Sequence, residues 1–295
     1  MSIRIITDSA SDVFRDKYPL LEVLPMTITF GEEQFLDGVN LSREEFYLKL
    51  VETDAMPSTS QISPYDFEEA FKRARQAGDQ ALVITMSGRL SGTYQSALSA
   101  AEGYGDIVRV VDSRNVTVGE HILVDYAVKL REQGLALEEL AGELERKKEN
   151  ICLLALVDTL TYLQKGGRLS KAAAFAGSLL SIKPVVSIED GEVAILGKAR
   201  GSRHGHSLLD EMIEKKGGID FDMPLMLGYT GLSDALLNKY IEDNARLWKG
   251  RLEILPKEVV GGTIGTHAGP GAIAIAFYHK WACLSRRGKA RAWGA

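Results

Sequence analysis

The chain has 295 residues, 45% of them hydrophobic and 25% charged, with 29 glycines and a net charge of −5. Apolar content this high with so little net charge excludes disorder as the main state, and the length suits one large domain or two of ~100–200 residues. No apolar run reaches the ~18 residues of a membrane span, and MSIRIITDSASD lacks the basic-then-apolar layout of a signal peptide. Cys152 and Cys283 are far apart in sequence and suggest no disulfide framework. A soluble cytoplasmic α/β protein is expected.

In chain order, residues 3–7 read as a short apolar strand ending at Asp8, and 21–30 as a second apolar stretch broken by Pro25. Residues 42–52 have helical spacing, with Ser42 as N-cap and Glu45 three residues on, a capping box. Residues 56–63 read as a polar loop. A helix is predicted over 64–77, where Pro64 sits early and its missing N–H costs nothing. Strands follow at 80–86 and 107–112, with helices at 92–103, 118–133 and 137–150. This alternation predicts a parallel, doubly wound N-terminal sheet.

The second half has a different grammar. A strand is predicted at 151–158, a short helix at 160–164 and an alanine-rich helix at 170–180. Residues 183–188 and 192–196 flank Asp190-Gly191, a hairpin signal. Helices at 207–216 and 233–248 and strands at 224–229, 252–255 and 271–277 complete the chain. A hairpin beside helices predicts a mixed or antiparallel C-terminal α/β sandwich. The predicted division is 1–150, 151–280 and a basic tail, 281–295, that is solvated and without fixed structure. The tail carries Arg286, Arg287, Lys289 and Arg291, so residues 1–280 hold −9. An acidic body argues against a nucleic-acid surface.

Several motifs fail on their mechanics. Gly269-Pro270-Gly271 opens a dinucleotide-like pattern, but no βαβ unit fits after it. Residues 191–198 resemble a phosphate loop, yet Ala199 stands where Ser or Thr must hold magnesium. Ser91 in Gly88-Arg89-Leu90-Ser91-Gly92 is one place late for a nucleophile elbow. His204 and His206 read as polar side chains on a loop rather than half a metal site, so no metal or cofactor is expected.

Four segments rich in hydroxyls and glycine follow or precede apolar strands, where open α/β sheets gather ligands. They are Thr7–Asp12, Pro57–Gln61, Ser87–Ala97 and Gly261–Gly271. Ser91 and Gly92 at a helix start could offer a hydroxyl and free N–H groups to an anion, or Ser91 could only cap the helix. His267 could be a turn histidine, or could pair with Ser91 as a hydrolase or acyltransferase. Asp8 reads as scaffold for these loops, with a role in holding the ligand as the alternative.

The ordered set TDSASD, PSTSQISP, RLSGTYQSA, VVDS, LVDTLTYLQKGGRLS, IKPVV and IGTHAGPGA resembles the DegV family, whose characterised members are similar to fatty-acid-binding subunits of bacterial fatty acid kinase. The resemblance implies two α/β domains with a long acyl chain between them. Thr59, Ser91 with the backbone of Gly92, and His267 would hold the carboxyl group. A separate ATP-dependent kinase subunit would phosphorylate it to an acyl phosphate. Arg168 and Arg200 would be surface positions for docking that partner, and any membrane contact would be transient. Where family members often carry paired serines, this chain has Ser87-Gly88. A further alternative is a dihydroxyacetone-kinase-like subunit in which His267 holds a small ketone.

Overall fold

The computed structural model describes residues 2–53, 55–169 and 182–280. The helix expected at 170–180 and the basic tail 281–295 lie outside those residues. The first half contains β1 (Ile3–Asp8), β2 (Leu21–Leu24), β3 (Thr27–Phe30), β4 (Glu33–Leu36), α1 (Arg43–Glu52), β5 (Ser58–Ser60), α2 (Pro64–Ala77), β6 (Gln80–Thr85), α3 (Thr93–Ala101), β7 (Val108–Asp112), α4 (Thr117–Glu132) and α5 (Leu137–Lys147). The second half contains β8 (Ile151–Leu156), α6 (Thr161–Lys165), β9 (Ile182–Glu189), β10 (Glu192–Arg200), α7 (Gly201–Lys215), β11 (Leu225–Tyr229), α8 (Ala235–Asp243), β12 (Lys257–Val259), α9 (Gly262–Ala268) and β13 (Ile273–Tyr278).

The fold class is the expected one. A parallel sheet runs β2-β1-β6-β7, and a mixed six-stranded sheet runs β10-β9-β8-β13-β11-β12. Helix α4 lies between them, packing on β1 and β6 on one side and on β8, β11 and β13 on the other. Most of its side chains are therefore buried, polar Glu120 and His121 included. One row of the mixed sheet is made of small residues in register: Val186 of β9 faces Ala155 of β8, which faces Ala274 of β13, which faces Gly228 of β11.

Local signals set the clearest elements. Both α1 and α2 open on capping boxes, Ser42 with Glu45 and Ser63 with Asp66, and α2 stops at Gly78 in the left-handed conformation. The Asp190-Gly191 turn has positive φ at both residues, 51° and 82°, as its sequence demands.

Other expectations need correction. The stretch 21–30 is two strands: after Pro25 the chain leaves the parallel sheet and β3 joins a small antiparallel sheet, β4-β3-β5. Residues 56–63 are not all loop, because β5 pairs Thr59 with Ile28. Residues 252–255 do not form a strand. Leu252–Ile254 is a 3₁₀ turn with Leu252 and Ile254 exposed, and the strand comes after Pro256, where Lys257 pairs with Leu227. His204 and His206 are on helix α7, not a loop. His206 is buried edge-on against Tyr240, and burial pushes its pKa down.

Candidate functional site

A cavity of about 400 Å³ lies against the mixed sheet and is closed by β5, α9 and the loops that follow β2 and β6. Its walls are mostly apolar, with Leu153, Ala155 and Val157 from β8 and its end, Val186 and Ile188 from β9, and Ala274 from β13. Thr59, Ser91, Gly92, His267 and Arg168 line the same cavity. Arg200 does not; it is exposed at the end of β10.

Thr59 is brought to the wall by β5 and His267 by α9, and the two meet: Thr59 Oγ1 lies 3.0 Å from His267 Nε2. The placement of α9 depends on two buried aspartates. Asp37 accepts hydrogen bonds from the Gly262 and Thr263 amides at 3.2 and 3.1 Å and from the Thr263 hydroxyl at 2.6 Å. Asp12, whose φ is +56°, accepts from the Gly261 amide at 2.7 Å and the Thr117 hydroxyl at 2.5 Å. These carboxylates satisfy donors that a helix start leaves open. Burial nevertheless pushes Asp12 up to about 7, against the pull of Arg43 and these donors.

Burial holds His267 down at about 4, and the Arg168 charge adds to the effect. The imidazole is therefore neutral at physiological pH. Among the described residues its buried Nδ1 has no hydrogen-bond partner, and it is packed where a side chain at Gly166 would otherwise stand. No described carboxylate orients that nitrogen as a triad member would.

Ser91 and Gly92 lie between β6 and α3. Ser91 Oγ is 2.9 Å from Thr93 Oγ1 and accepts from the Thr93 amide at 3.2 Å, so it does close the helix start locally while facing the cavity. Gly92 is the position against which Gln61 packs; a methyl group there would collide with Gln61 Oε1. The departure at Gly88 also has a steric setting, because a Cβ there would lie 3.0 Å from Tyr94 Cδ1 and 3.1 Å from Asp112 Oδ2.

Asp8 is outside the cavity wall. Its carboxylate accepts from the Ala10 and Met86 amides at 3.0 and 2.8 Å and ties the end of β1 to the end of β6. Arg168 departs from the surface placement that the resemblance implies. It is half-buried, and its guanidinium donates to the carbonyls of Leu90 at 3.1 Å and Gly166 at 2.7 Å. Asp37 is not among the residues the sequence points to, and Gln61 enters there only as the end of the Pro57–Gln61 segment. Asp37-Gly38 carries only a turn signal, and Gln61 acts through Ser96, to which its Nε2 donates at 2.9 Å.

The motifs rejected on spacing occupy unsuitable places. Gly269–Gly271 leads from a helix into a strand, the reverse of the dinucleotide order, and 192–198 runs along β10. Among the described residues no cluster of three or more His, Cys, Asp or Glu side chains could hold a metal, and no helix is long and apolar enough to cross a membrane.

Residues 2–280 match the sequence model of the family described as "Uncharacterised protein, DegV family". A DegV domain-containing protein of Caldanaerobacter subterraneus subsp. tengcongensis is 34% identical, over 94% of this chain and 99% of its own. The solved structure described as fatty acid binding of a DegV family protein from Thermus thermophilus is 30% identical, with a TM-score of 0.83 over 94% of this chain and 100% of that one. The Streptococcus pneumoniae Fatty Acid Kinase (Fak) B3 protein, solved loaded with linoleic acid, shares the fold at a TM-score of 0.82 and 24% identity, over 94% and 99% of the two chains.

Proposed function

The chain belongs to the DegV family, and we propose that it binds a long-chain fatty acid in this cavity and presents the carboxyl group to a separate ATP-dependent kinase, which makes the acyl phosphate. The observation that carries the reading is an apolar cavity of about 400 Å³ whose wall includes Thr59 hydrogen-bonded to a neutral His267. The Thermus neighbour described as binding fatty acid supports the ligand class. In this reading residues 1–150 supply most of the carboxyl end and 151–280 cover the chain, with His267 reaching across.

The energetics suit a carrier. Each buried methylene contributes ~0.8 kcal/mol, so the acyl tail supplies the affinity. A buried carboxylate is costly unless hydrogen-bonded, and hydroxyls with a neutral imidazole can meet that need without a fixed positive charge. Such groups orient the acid and leave its oxygen free to take a phosphoryl group. The kinase step itself rests on the family resemblance. In the same reading the protein is cytoplasmic, needs no cofactor beyond its ligand, and leaves the chemistry to its partner.

A serine hydrolase using Ser91 and His267 is the competing reading. It is disfavoured by the hydrogen bonds these residues make: Ser91 with Thr93, and His267 with Thr59. Native mass spectrometry of gently purified protein tests the proposal. The expected result is a co-purified fatty acid, or a mass increase on adding palmitate. A clean apo mass unchanged by palmitate, or stable fluorophosphonate labelling at Ser91, would overturn it.

A further inference from the structure

The loop that carries Ser91 is fastened at its start to the far side of the cavity. Ser87 is fully buried, and its Oγ donates to the carbonyl of Gly191 at 2.7 Å. The same oxygen accepts from the Arg89 amide at 3.3 Å. The Ser87 carbonyl in turn accepts from the amides of Leu90 and Ser91 at 3.0 and 3.1 Å. One residue thus folds the loop back on itself and joins it to the β9–β10 turn.

The turn is shaped to receive this contact. Gly191 has φ +82°, and a Cβ there would lie 2.6 Å from Ser87 Oγ. An ion pair between Arg89 and Glu192, 3.1 Å long and exposed, sits beside it. Beyond Ser187 the strand leaves the β8 ladder, whose paired register covers Val185, Val186 and Ser187, and there Ser87 joins the Lys216–Glu189 ion pair, 2.8 Å long, in holding the hairpin. Ile188 and Val193, on either arm near the tip, line the cavity.

We infer that Ser87 is a positioning residue for the carboxyl-binding loop, latching Ser91 to the hairpin that walls the acyl chain. Wall and head-group loop then move as one unit. The inference rests on the proposed fatty-acid reading of the cavity. It goes beyond that reading in naming a residue that touches no part of the ligand and yet sets its selectivity.

The test compares palmitic acid with hexadecanol, which share a chain and differ in the head group. Affinities are measured for wild type, Ser87→Ala, Ser91→Ala and the double variant, with Gly191→Ala disturbing the latch from the other side. Ser87→Ala is expected to weaken palmitic acid about tenfold while changing hexadecanol much less, because the Ser91 loop then loses its alignment with the carboxylate and with it a hydrogen bond to a charged group. The double variant is expected to be no worse than Ser91→Ala. Equal losses for acid and alcohol, or additive losses in the double variant, would overturn the inference. If Ser87→Ala does not fold, the Gly191→Ala ratio decides in the same way. Amide exchange at Leu90 and Ser91 in the unliganded protein is expected to quicken in either latch variant; unchanged exchange also overturns it. Wild-type protein that binds neither compound defeats the fatty-acid reading itself, and the exchange result then judges the latch alone.

Discussion

His267 Nε2 lies 3.0 Å from Thr59 Oγ1, joining residues 208 positions apart in sequence. Because burial keeps this imidazole neutral down to about 4, the pair is a hydroxyl and an uncharged ring across the physiological range. An unfolded chain protonates the same ring near ~6.5. Between those values the unfolded state gains a proton that the folded state refuses, so His267 erodes stability as pH falls from ~6.5 towards 4, by about 3 kcal/mol in all. Asp8 and Asp12, which burial raises to about 7, act in the opposite direction. They favour the folded state most fully below ~4, and that contribution is lost as pH rises through 7. Urea unfolding at pH 7 and pH 4.5 should show a smaller acid-side loss for His267→Gln than for wild type. An identical loss would contradict the assigned protonation state.

Asp37→Ala should destabilise the protein by about 3 kcal/mol. It strands two buried amides and one hydroxyl at the start of α9, each orphan costing about 1–3 kcal/mol less what water recovers. The same change should release the His267 ring. Chemical denaturation gives the first quantity, and the histidine resonance in an NMR pH titration gives the second, moving back towards ~6.5.

The turn after α6 offers a different probe. Gly166→Ala would place a methyl group on His267 Nδ1, with the Tyr162 carbonyl 3.0 Å away on the other side. A displaced ring would open the Thr59 contact that its Nε2 makes. Overpacking of this kind costs about 1–3 kcal/mol. Fatty-acid affinity should fall about tenfold or more; titration calorimetry with palmitate would detect it, and unchanged affinity would remove His267 from the binding set.

Arg168 and Arg200 should behave differently from each other. Arg200 is exposed and away from the cavity, so Arg200→Ala should spare lipid binding and slow turnover by a cognate kinase if it docks that partner. Arg168→Ala removes hydrogen bonds to the Leu90 and Gly166 carbonyls, the two segments beside Ser91 and His267. It should weaken lipid retention as well as turnover. Equal lipid retention in both variants would return Arg168 to a purely external role.

The features legible in sequence were those written locally. Helix α2 is legible at its observed bounds with Pro64 early in it, and the structure adds the Ser63–Asp66 capping box and the left-handed Gly78, signals that also lie within or beside the segment itself. The Asp190-Gly191 turn was equally plain. The hydroxyl-rich loops were visible because they interrupt apolar strands. What escaped depends on partners distant in the chain. Ser58–Ser60 has the composition of a loop and becomes a strand only because β3 lies beside it. Leu252 and Ile254 have the composition of a strand but stay on the surface. Asp37 looks like one half of a turn until Gly262 and Thr263 arrive. Arg168 looks like a surface charge until the Leu90 carbonyl is placed against it.

The crosswise row from Val186 through Ala155 and Ala274 to Gly228 places cavity-lining positions on four separate strands. Their backbones are fixed by ladder hydrogen bonds that do not depend on side-chain size. Methyl groups can therefore be exchanged at Val186, Ala155 and Ala274 while the strand pairing stays intact, whereas a Cβ at Gly228 would press on Val118 and Val260 at 3.0 and 3.2 Å. Interior capacity and scaffold integrity are separately adjustable, and relatives sharing this architecture could diverge in the cargo they accept through a few substitutions of modest bulk.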